Sequence, residues 1–191
     1  MGDFSLSLEP QDLTDLMAAG RNPAVVDVRK LEAYQASDVM LATAVWRDPV
    51  SVHEWSDTLN DDRGVVVYCI HGHQMSQSVV ALLRANGLPT RYLVGDIDGF
   101  VEAGGPTISR ESLPERGPDG RTCWVTRARP KIDRIACPWL VRRFIDPDAT
   151  FLYVEAEHVH AVAGVTCTIP FDVDGAELTH KDDRCSFDAI F

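Results

Sequence analysis

The stretch "GVVVYCIHGHQMSQSVVALLRANG", residues 64–87, decides how the first half of the chain folds. A run of β-branched residues ends at Cys69, and a short polar loop containing Gly72 separates it from an apolar segment with helical spacing. Continuous apolar runs of this kind are typical of parallel strands that are covered on both faces. The stretch therefore predicts a buried strand, a tight loop and a helix, with a cysteine at the end of the strand.

The position of Cys69 indicates chemical reactivity. At a strand-to-helix junction, the first N–H groups of the helix have no intrahelical partners, and together with the helix dipole they stabilise an anion. A cysteine in that field is favoured as a thiolate, its nucleophilic form. Gly72 allows the loop to curl so that its amides converge on the sulfur. The alternative is an inert core cysteine that ends a strand, but the glycine and the polar loop favour the reactive site.

Two histidines, His71 and His73, lie in the same loop. Beside Cys69 they could bind zinc or copper. Alternate residues of a tight loop seldom converge on one ion, however, and imidazole changes charge near neutral pH. Contact with a substrate oxyanion or proton transfer is therefore the favoured role.

Segments on either side of this stretch show the same alternation. The runs "AVVDV" (24–28), "TAVW" (43–46) and "TRYLV" (90–94) are typical of strands, and segments with helical spacing lie between them. Strand–helix–strand repetition predicts an α/β domain over residues 1–106, with a mainly parallel sheet and helices on both faces.

The second half has a different organisation. A stretch rich in Gly and Pro predicts a linker at residues 107–122. Residues 123–191 predict a smaller α+β domain that contains a helix within "IDRIACPWLVRRFID" (132–146). The chain stops abruptly on the apolar Phe191, so we expect it to be a fragment of a longer polypeptide, truncated at its C-terminus.

Charge and composition argue against several classes of protein. The 191 residues carry a formal net charge of −11, which argues against binding nucleic acid over the whole surface. The chain has neither an apolar run of about 18 residues nor a signal peptide at its N-terminus. Five cysteines without a CxxC pair indicate free thiols rather than a disulfide framework. We therefore expect a cytoplasmic protein without a membrane partner.

Positive charge is concentrated in residues 121–143, where seven basic side chains stand against one acid, Asp133. Guanidinium groups suit tetrahedral oxyanions because they donate paired hydrogen bonds. The candidate oxyanion ligands are Arg127, Arg129, Arg134, Arg142 and Arg143. The alternative is a solvated helix face whose charges pair with neighbouring acids.

Cys137 and a group near the C-terminus are further candidates. Pro138 either kinks the predicted helix or starts it. If the helix starts there, Cys137 lies near a helix N-terminus and is reactive; otherwise it is a small buried residue. A metal site is conceivable, and its ligands would be Glu177, His180, Cys185 and Cys137. Polar side chains in a turn explain the same pattern.

The first half resembles a rhodanese domain. The resemblance rests on "VVDVR", "EAY", "VVVYC" with a glycine three residues on, "ALLRANG" and "RYLVGDIDGFVEAGGP", in order over residues 6–106. It implies the rhodanese fold and sulfur transfer through a persulfide on Cys69. Asp27 and Arg29 match the family's "DVR" and are implied to support the site. The implied active-site loop is Ile70, His71, Gly72, His73, Gln74 and Met75.

The loop departs from the family pattern. The usual Arg and Ser at the fifth and sixth places after the cysteine are replaced by Gln74 and Met75, and a doubled glycine has become Gly95-Asp96. Without a side-chain cation in the loop, anion binding rests on backbone amides and the two histidines, which questions the usual thiosulfate preference. A phosphatase of related fold needs an arginine where Met75 stands, which argues against phosphatase activity.

The second half resembles the C-terminal domain of the chromate-resistance ChrB family. The resemblance rests on "DRIACPWLVRRFID" and on "FDVDGAELTHKDDRCSFDA", and it covers residues 124–191. It implies a role in chromate sensing or resistance in bacteria.

Together, these features predict a sulfurtransferase linked to chromate resistance. Its partners would be a small-molecule sulfur donor, such as thiosulfate or a persulfide, and a thiol or cyanide acceptor, with chromate as a further ligand. The sulfur chemistry implies no cofactor. The alternative is a non-catalytic regulator that responds to chromate or redox state by binding an oxyanion. The acidic remainder of the chain and the lack of a helix-turn-helix pattern argue against direct DNA contact.

Overall fold

A computed structural model of the chain describes residues 5–59, 62–70, 74–117, 120–129, 131–179, 185–188 and 190. The chain divides into two compact units, residues 1–111 and residues 112–191. Across the described residues, no helix has both the length and the apolar character that crossing a membrane requires.

The first unit alternates strands and helices along the chain. Its strands are β1 (Ser7–Leu8), β2 (Ala24–Asp27), β3 (Val39–Leu41), β4 (Val45–Trp46), β5 (Val65–Tyr68), β6 (Thr90–Leu93) and β7 (Thr107–Ser109). Its helices are α1 (Pro10–Ala18), α2 (Leu31–Ala36), α3 (Val52–Trp55), α4 (Gln74–Ala85) and α5 (Asp96–Glu102).

Five strands form the main sheet, in the order β1-β6-β5-β2-β4, and every neighbouring pair is parallel. The central strand β5 is buried along its whole length, as its continuous apolar run predicts. Val26 and Val67 are partners across β2 and β5, and both pack with Leu83 of α4 in one apolar cluster. The predicted α/β fold with a mainly parallel sheet is confirmed.

Strands β3 and β7 form a separate antiparallel pair, in which Met40 lies opposite Ile108. Ser109 Oγ donates a hydrogen bond to Asp38 Oδ2 at 2.6 Å, and the backbone N–H of Glu111 donates to Asp38 Oδ1 at 3.0 Å. The linker predicted at residues 107–122 therefore starts too early. Its first residues are ordered by pairing with a strand about 68 positions earlier, a partner that local composition does not reveal.

The second unit contains strands β8 (Cys123–Arg127), β9 (Thr150–Val154) and β10 (Ile169–Pro170) and helices α6 (Asp133–Leu140) and α7 (Val159–Thr166). Its sheet has the order β10-β8-β9, and both pairs are parallel. Helices connect the strands in the described part of this smaller second unit. Parallel neighbours require crossover connections, and α6 and α7 occupy them.

Helix α6 continues into a π-helical turn at Val141–Ile145, and Pro138 lies inside the helix rather than at its start. Proline removes a backbone donor from a helix, and wide turns often accompany such irregularities. Cys137 therefore lies inside α6 and is fully buried, so the condition for a reactive helix N-terminus is not met.

Candidate functional site

The site forms at the carboxyl end of β5, the central strand of the first unit. Cys69 follows β5 directly, and its side chain is almost fully buried. The backbone N–H of Val28 donates to the carbonyl of Tyr68 at 2.9 Å, which holds the preceding residue against the neighbouring strand β2. The sheet therefore places Cys69 rigidly, ahead of the first turn of α4.

Two side chains contact the thiol of Cys69. Cys69 Sγ lies 3.3 Å from Asp96 Oδ2, the nearer acceptor for its hydrogen, and 3.8 Å from Ser76 Oγ. The backbone N–H of Cys69 donates to the other carboxylate oxygen, Asp96 Oδ1, at 2.8 Å. Ser76 and Asp96 are themselves buried. The carboxylate therefore contacts both the backbone and the sulfur of the same residue.

This contact has a direct chemical consequence. A carboxylate accepts a hydrogen bond from a thiol and repels an approaching anion. The same carboxylate is in position to receive the thiol proton when the sulfur attacks an electrophile. The polar environment of the sulfur thus contains a fixed negative charge.

Asp96 occupies a strained backbone position. Its φ is +52°, and Gly95 before it has φ +73°. A side chain at Gly95 would bring a Cβ to within 3.0 Å of the Gly99 backbone, so glycine is required there. Left-handed conformations are uncommon for residues with a Cβ, although aspartate tolerates them better than most. This turn after β6 directs the carboxylate to the end of the adjacent strand β5.

Sequence reasoning noted Gly95-Asp96 as a departure from the family pattern but did not predict its contact with Cys69. The two residues are 27 positions apart. The available signal was topological, because the carboxyl ends of neighbouring parallel strands meet at one edge of a sheet.

Asp27 and Arg29, the predicted supporting residues, belong to a buried network beside the site. Arg29 donates to the Asp27 carboxylate through Nε at 2.8 Å and through a terminal nitrogen at 2.6 Å. Tyr68 donates to the same carboxylate at 2.9 Å. Burial and the charge of Asp27 raise the pKa of Tyr68 well above its ordinary value. Burial lowers the pKa of Arg29, but the hydrogen bonds and charge of Asp27 outweigh it and leave that pKa raised.

A cleft of about 490 Å³ is lined by the residues that follow Cys69 and Asp96 in the chain, and not by Cys69 or Asp96 themselves. Its wall includes Ile70, the residue after the cysteine, and Ile97, the residue after Asp96. The remaining lining residues are Arg29, Ser37, Val39, Asp98, Val101 and Glu102. The cleft therefore combines apolar surface with two acids, and its arginine is the one already paired with Asp27.

The predicted active-site loop is described only in part. Ile70 lines the cleft, Gln74 is exposed at the first position of α4, and Met75 packs against the apolar cluster that includes Cys69. His71, Gly72 and His73 lie outside the described residues, so their predicted roles stay predictions.

The structure brings together two of the five predicted oxyanion ligands. Arg127 and Arg134 both approach Asp172 Oδ2, at 3.6 and 3.5 Å. Ser186 Oγ donates to the other oxygen of Asp172 at 2.9 Å. The Nε of Arg127 is buried and has no hydrogen-bond partner among the described residues, whereas the Nε of Arg134 is the atom that faces Asp172. Donors of this kind normally find an acceptor.

The other three arginines do not share this position. Arg142 reaches the carbonyl of Ala149 at 3.3 Å and lies over the ring of Phe151, with 5.1 Å to the centroid. Arg129 is exposed at a left-handed backbone position, and Arg143 lies in the π-helical turn. The five arginines therefore lie on different elements, in or after β8, in α6 and in the π-helical turn.

The predicted metal ligands do not form a described site. Burial, followed by the charges of Asp133, Asp172 and Cys185, raises the pKa of Cys137 to about 12. Glu177 is exposed, and Cys185 Sγ donates to Asp188 at 3.3 Å. Among the residues with described positions, no three His, Cys, Asp or Glu side chains are placed to hold a metal ion. His180 lies outside those residues.

Each half of the chain is similar to a known protein family. Residues 9–103 match the family model described as a rhodanese-like domain, and residues 124–191 match the model described as ChrB, C-terminal domain. Both resemblances inferred from the sequence are confirmed. A curated relative, Protein ChrB from Cupriavidus metallidurans, is 41% identical over 100 residues, which is 49% of this chain but 28% of that protein. The chain thus matches a little over a quarter of that relative's length.

Solved structures are also similar to the first half of the chain. A full-length protein from Lactobacillus plantarum is 20% identical, with a TM-score of 0.50 over 55% of this chain and 88% of that one. The rhodanese-like domain of an Anabaena protein is 24% identical, with a TM-score of 0.49 over 60% and 87% of the two chains. At this identity, the likeness to the Lactobacillus protein shows a shared fold and nothing about activity.

Proposed function

We propose that this chain is a sulfurtransferase that works through a persulfide on Cys69 in bacterial chromate resistance. The matches to a rhodanese-like domain at residues 9–103 and to a ChrB C-terminal domain at residues 124–191 support this proposal. The observation that carries this proposal is the position of Cys69. It stands at the carboxyl end of the central parallel strand and directly before Ile70, which lines a cleft, and its sulfur contacts Ser76 and Asp96. Clefts at this end of parallel sheets are the usual ligand sites of α/β folds.

The chemistry proceeds in two steps. The sulfur of Cys69 attacks the outer sulfur of a donor, a new S–S bond forms, and the bond between that sulfur and the rest of the donor breaks. A thiol or cyanide then attacks the outer sulfur of the persulfide and regenerates Cys69. In chromate resistance, the persulfide or the thiolate would supply reducing sulfur.

The test is sulfur transfer to cyanide, followed as thiocyanate, with thiosulfate and with an alkyl persulfide as donors. We expect transfer by the wild type and complete loss in Cys69→Ala. Cys167→Asn is the matched control, since Cys167 is an exposed thiol at φ +52°, a conformation that asparagine tolerates. Transfer that survives in Cys69→Ala contradicts the proposal. Cells that produce Cys69→Ser should also tolerate chromate less well than cells that produce the wild type.

A second candidate function is oxyanion sensing by the second unit, and it is favoured by the buried Nε donor of Arg127, which has no hydrogen-bond partner among the described residues. Chromate and sulfate are tetrahedral dianions whose oxygens suit guanidinium donors. Calorimetric titration with each anion should show binding that weakens at least tenfold in Arg127→Gln. That side chain is partly exposed, so the fold should persist. Equal binding by the variant and the wild type excludes this site.

A further inference from the structure

We propose that Asp96 is a specificity-determining residue of the sulfur site, which selects organic persulfide donors (R–S–SH) and disfavours dianionic donors such as thiosulfate. This inference rests on the proposed function and names its donor class. The carboxylate lies 3.3 Å from Cys69 Sγ, the atom to which any donor must come within bonding distance. A negatively charged donor therefore meets a fixed negative charge at the point of reaction.

The position of the charge makes this repulsion strong. Asp96 is about 1% exposed, so water screens it poorly, and interactions between charges strengthen as the local dielectric falls. Its Oδ1 is held by the backbone N–H of Cys69 at 2.8 Å, so the carboxylate cannot easily turn away from an incoming anion. Repulsion grows with the charge of the donor, and a dianion therefore suffers more than an anion or a neutral molecule.

The charges around the cleft act in the same direction. Asp98 and Glu102 line it, and the guanidinium of Arg29, which also lines it, is already paired with Asp27. Gln74, at the start of α4, contributes no charge. The apolar side chains of Ile70 and Val101 suit the R group of an organic persulfide better than the oxygens of thiosulfate.

The reaction balances with Asp96 as the proton carrier. The thiol proton of Cys69 passes to the carboxylate to which it is hydrogen-bonded, and the sulfur forms a bond with the outer sulfur of R–S–SH. The S–S bond of the donor breaks, and the departing R–S⁻ thiolate takes the proton from Asp96. The sum is Cys69–SH and R–S–SH giving Cys69–S–SH and R–SH, without an external oxidant or reductant.

The first test compares kcat/KM for thiosulfate with kcat/KM for an alkyl persulfide in the full chain. We expect Asp96→Asn to shift the ratio toward thiosulfate at least tenfold. Asparagine keeps an oxygen for the Cys69 N–H and tolerates the left-handed backbone. Asp96→Gly removes the charge by a second route and suits the same backbone. Asp12→Asn, which removes an exposed acid from α1, is the control and should leave the ratio unchanged. An unchanged ratio in both Asp96 variants overturns the inference.

The second test does not require sulfur transfer. Iodoacetamide is neutral and iodoacetate is an anion, and both alkylate thiols; mass analysis reports labelling at Cys69. We expect the ratio of the iodoacetamide rate to the iodoacetate rate to be at least threefold higher in the wild type than in Asp96→Asn. Equal ratios contradict charge selection at Cys69. Absence of sulfur transfer together with this shift would refute the proposed function but leave the charge selection established.

Discussion

Tyr68 and Cys69 are adjacent in sequence, but their side chains enter different polar networks. The hydroxyl of Tyr68 donates to Asp27, whereas the thiol of Cys69 donates to Asp96. Successive side chains of a strand point to opposite faces of a sheet, which explains the separation. The end of β5 therefore connects a buried ion-pair network on one side with the sulfur site on the other.

Sequence reasoning could locate Cys69 but not its acidic neighbour. The strand pattern, the glycine in the loop and the following helix are local signals within residues 64–87. The contact with Asp96 depends on which strands are neighbours in the sheet and on the left-handed turn that aims the carboxylate. For the same reason, the sequence could not show which arginines of the basic segment approach Asp172. In the structure they are Arg127 and Arg134.

The buried thiol of Cys137 predicts a loss of stability in alkali. Its pKa is raised to about 12 in the folded chain, so the unfolded chain releases this proton first as the pH rises above about 9. The free energy of unfolding should then fall by up to about 1.4 kcal/mol per pH unit between these values. Urea unfolding of the second unit at pH 8 and pH 10 measures the fall.

Cys137→Ala is the variant for this comparison. It loses stability at both pH values because a cavity replaces the sulfur, but it should lack the extra fall at pH 10. The same pH dependence in the wild type and the variant would show that Cys137 does not contribute.

At the scale of elements, the strands with continuous apolar runs were the most predictable. β2, β5 and β6 lie within the runs that sequence patterns assign to them. The β3–β7 pair was not predicted, because β7 is three residues long and follows a Gly- and Pro-rich turn. Its stability depends on Asp38, which lies 71 positions before its hydrogen-bond partner Ser109.

Asp38→Ala should therefore release β7 without unfolding the main sheet. We expect hydrogen exchange at the amides of Thr107–Ser109 to accelerate several-fold, while the amides of β5 keep their protection. The hydrogen bond from Ser109, with that from Glu111, lowers the pKa of Asp38. The stabilisation is thus present above the usual pKa of aspartate and is lost as the pH falls through the lowered pKa. Unchanged exchange at β7 would show that the strand pairing alone holds this segment.

At the scale of the whole molecule, each unit is one continuous piece of chain with its own parallel sheet. The carboxylate, hydroxyl and cleft residues described around Cys69 all belong to the first unit. Composition predicted this division into two parts, but it placed the end of the first part at residue 106. The first unit ends at Glu111, the last residue that bonds to Asp38.

A fragment of residues 1–111 should consequently fold and keep the reactivity of Cys69. We expect a cooperative thermal transition by circular dichroism and an alkylation rate at Cys69 within about threefold of the full chain, because a compact domain with its own core folds alone. A fragment of residues 1–106 lacks β7 and the residues that bond Asp38, so it should melt at a lower temperature. Equal melting temperatures would assign the boundary to residue 106 instead.

The β3–β7 pair also has a consequence for synthesis of the protein on the ribosome. Strand β1, at the start of the chain, pairs with β6, so the main sheet cannot close until most of the first unit has been made. Strand β7 is the last piece added, and it joins β3 only after the turn at residues 104–106 has emerged. Domains generally fold as units in the order of their synthesis. The nascent first unit can therefore complete both of its sheets while the second unit is still being translated.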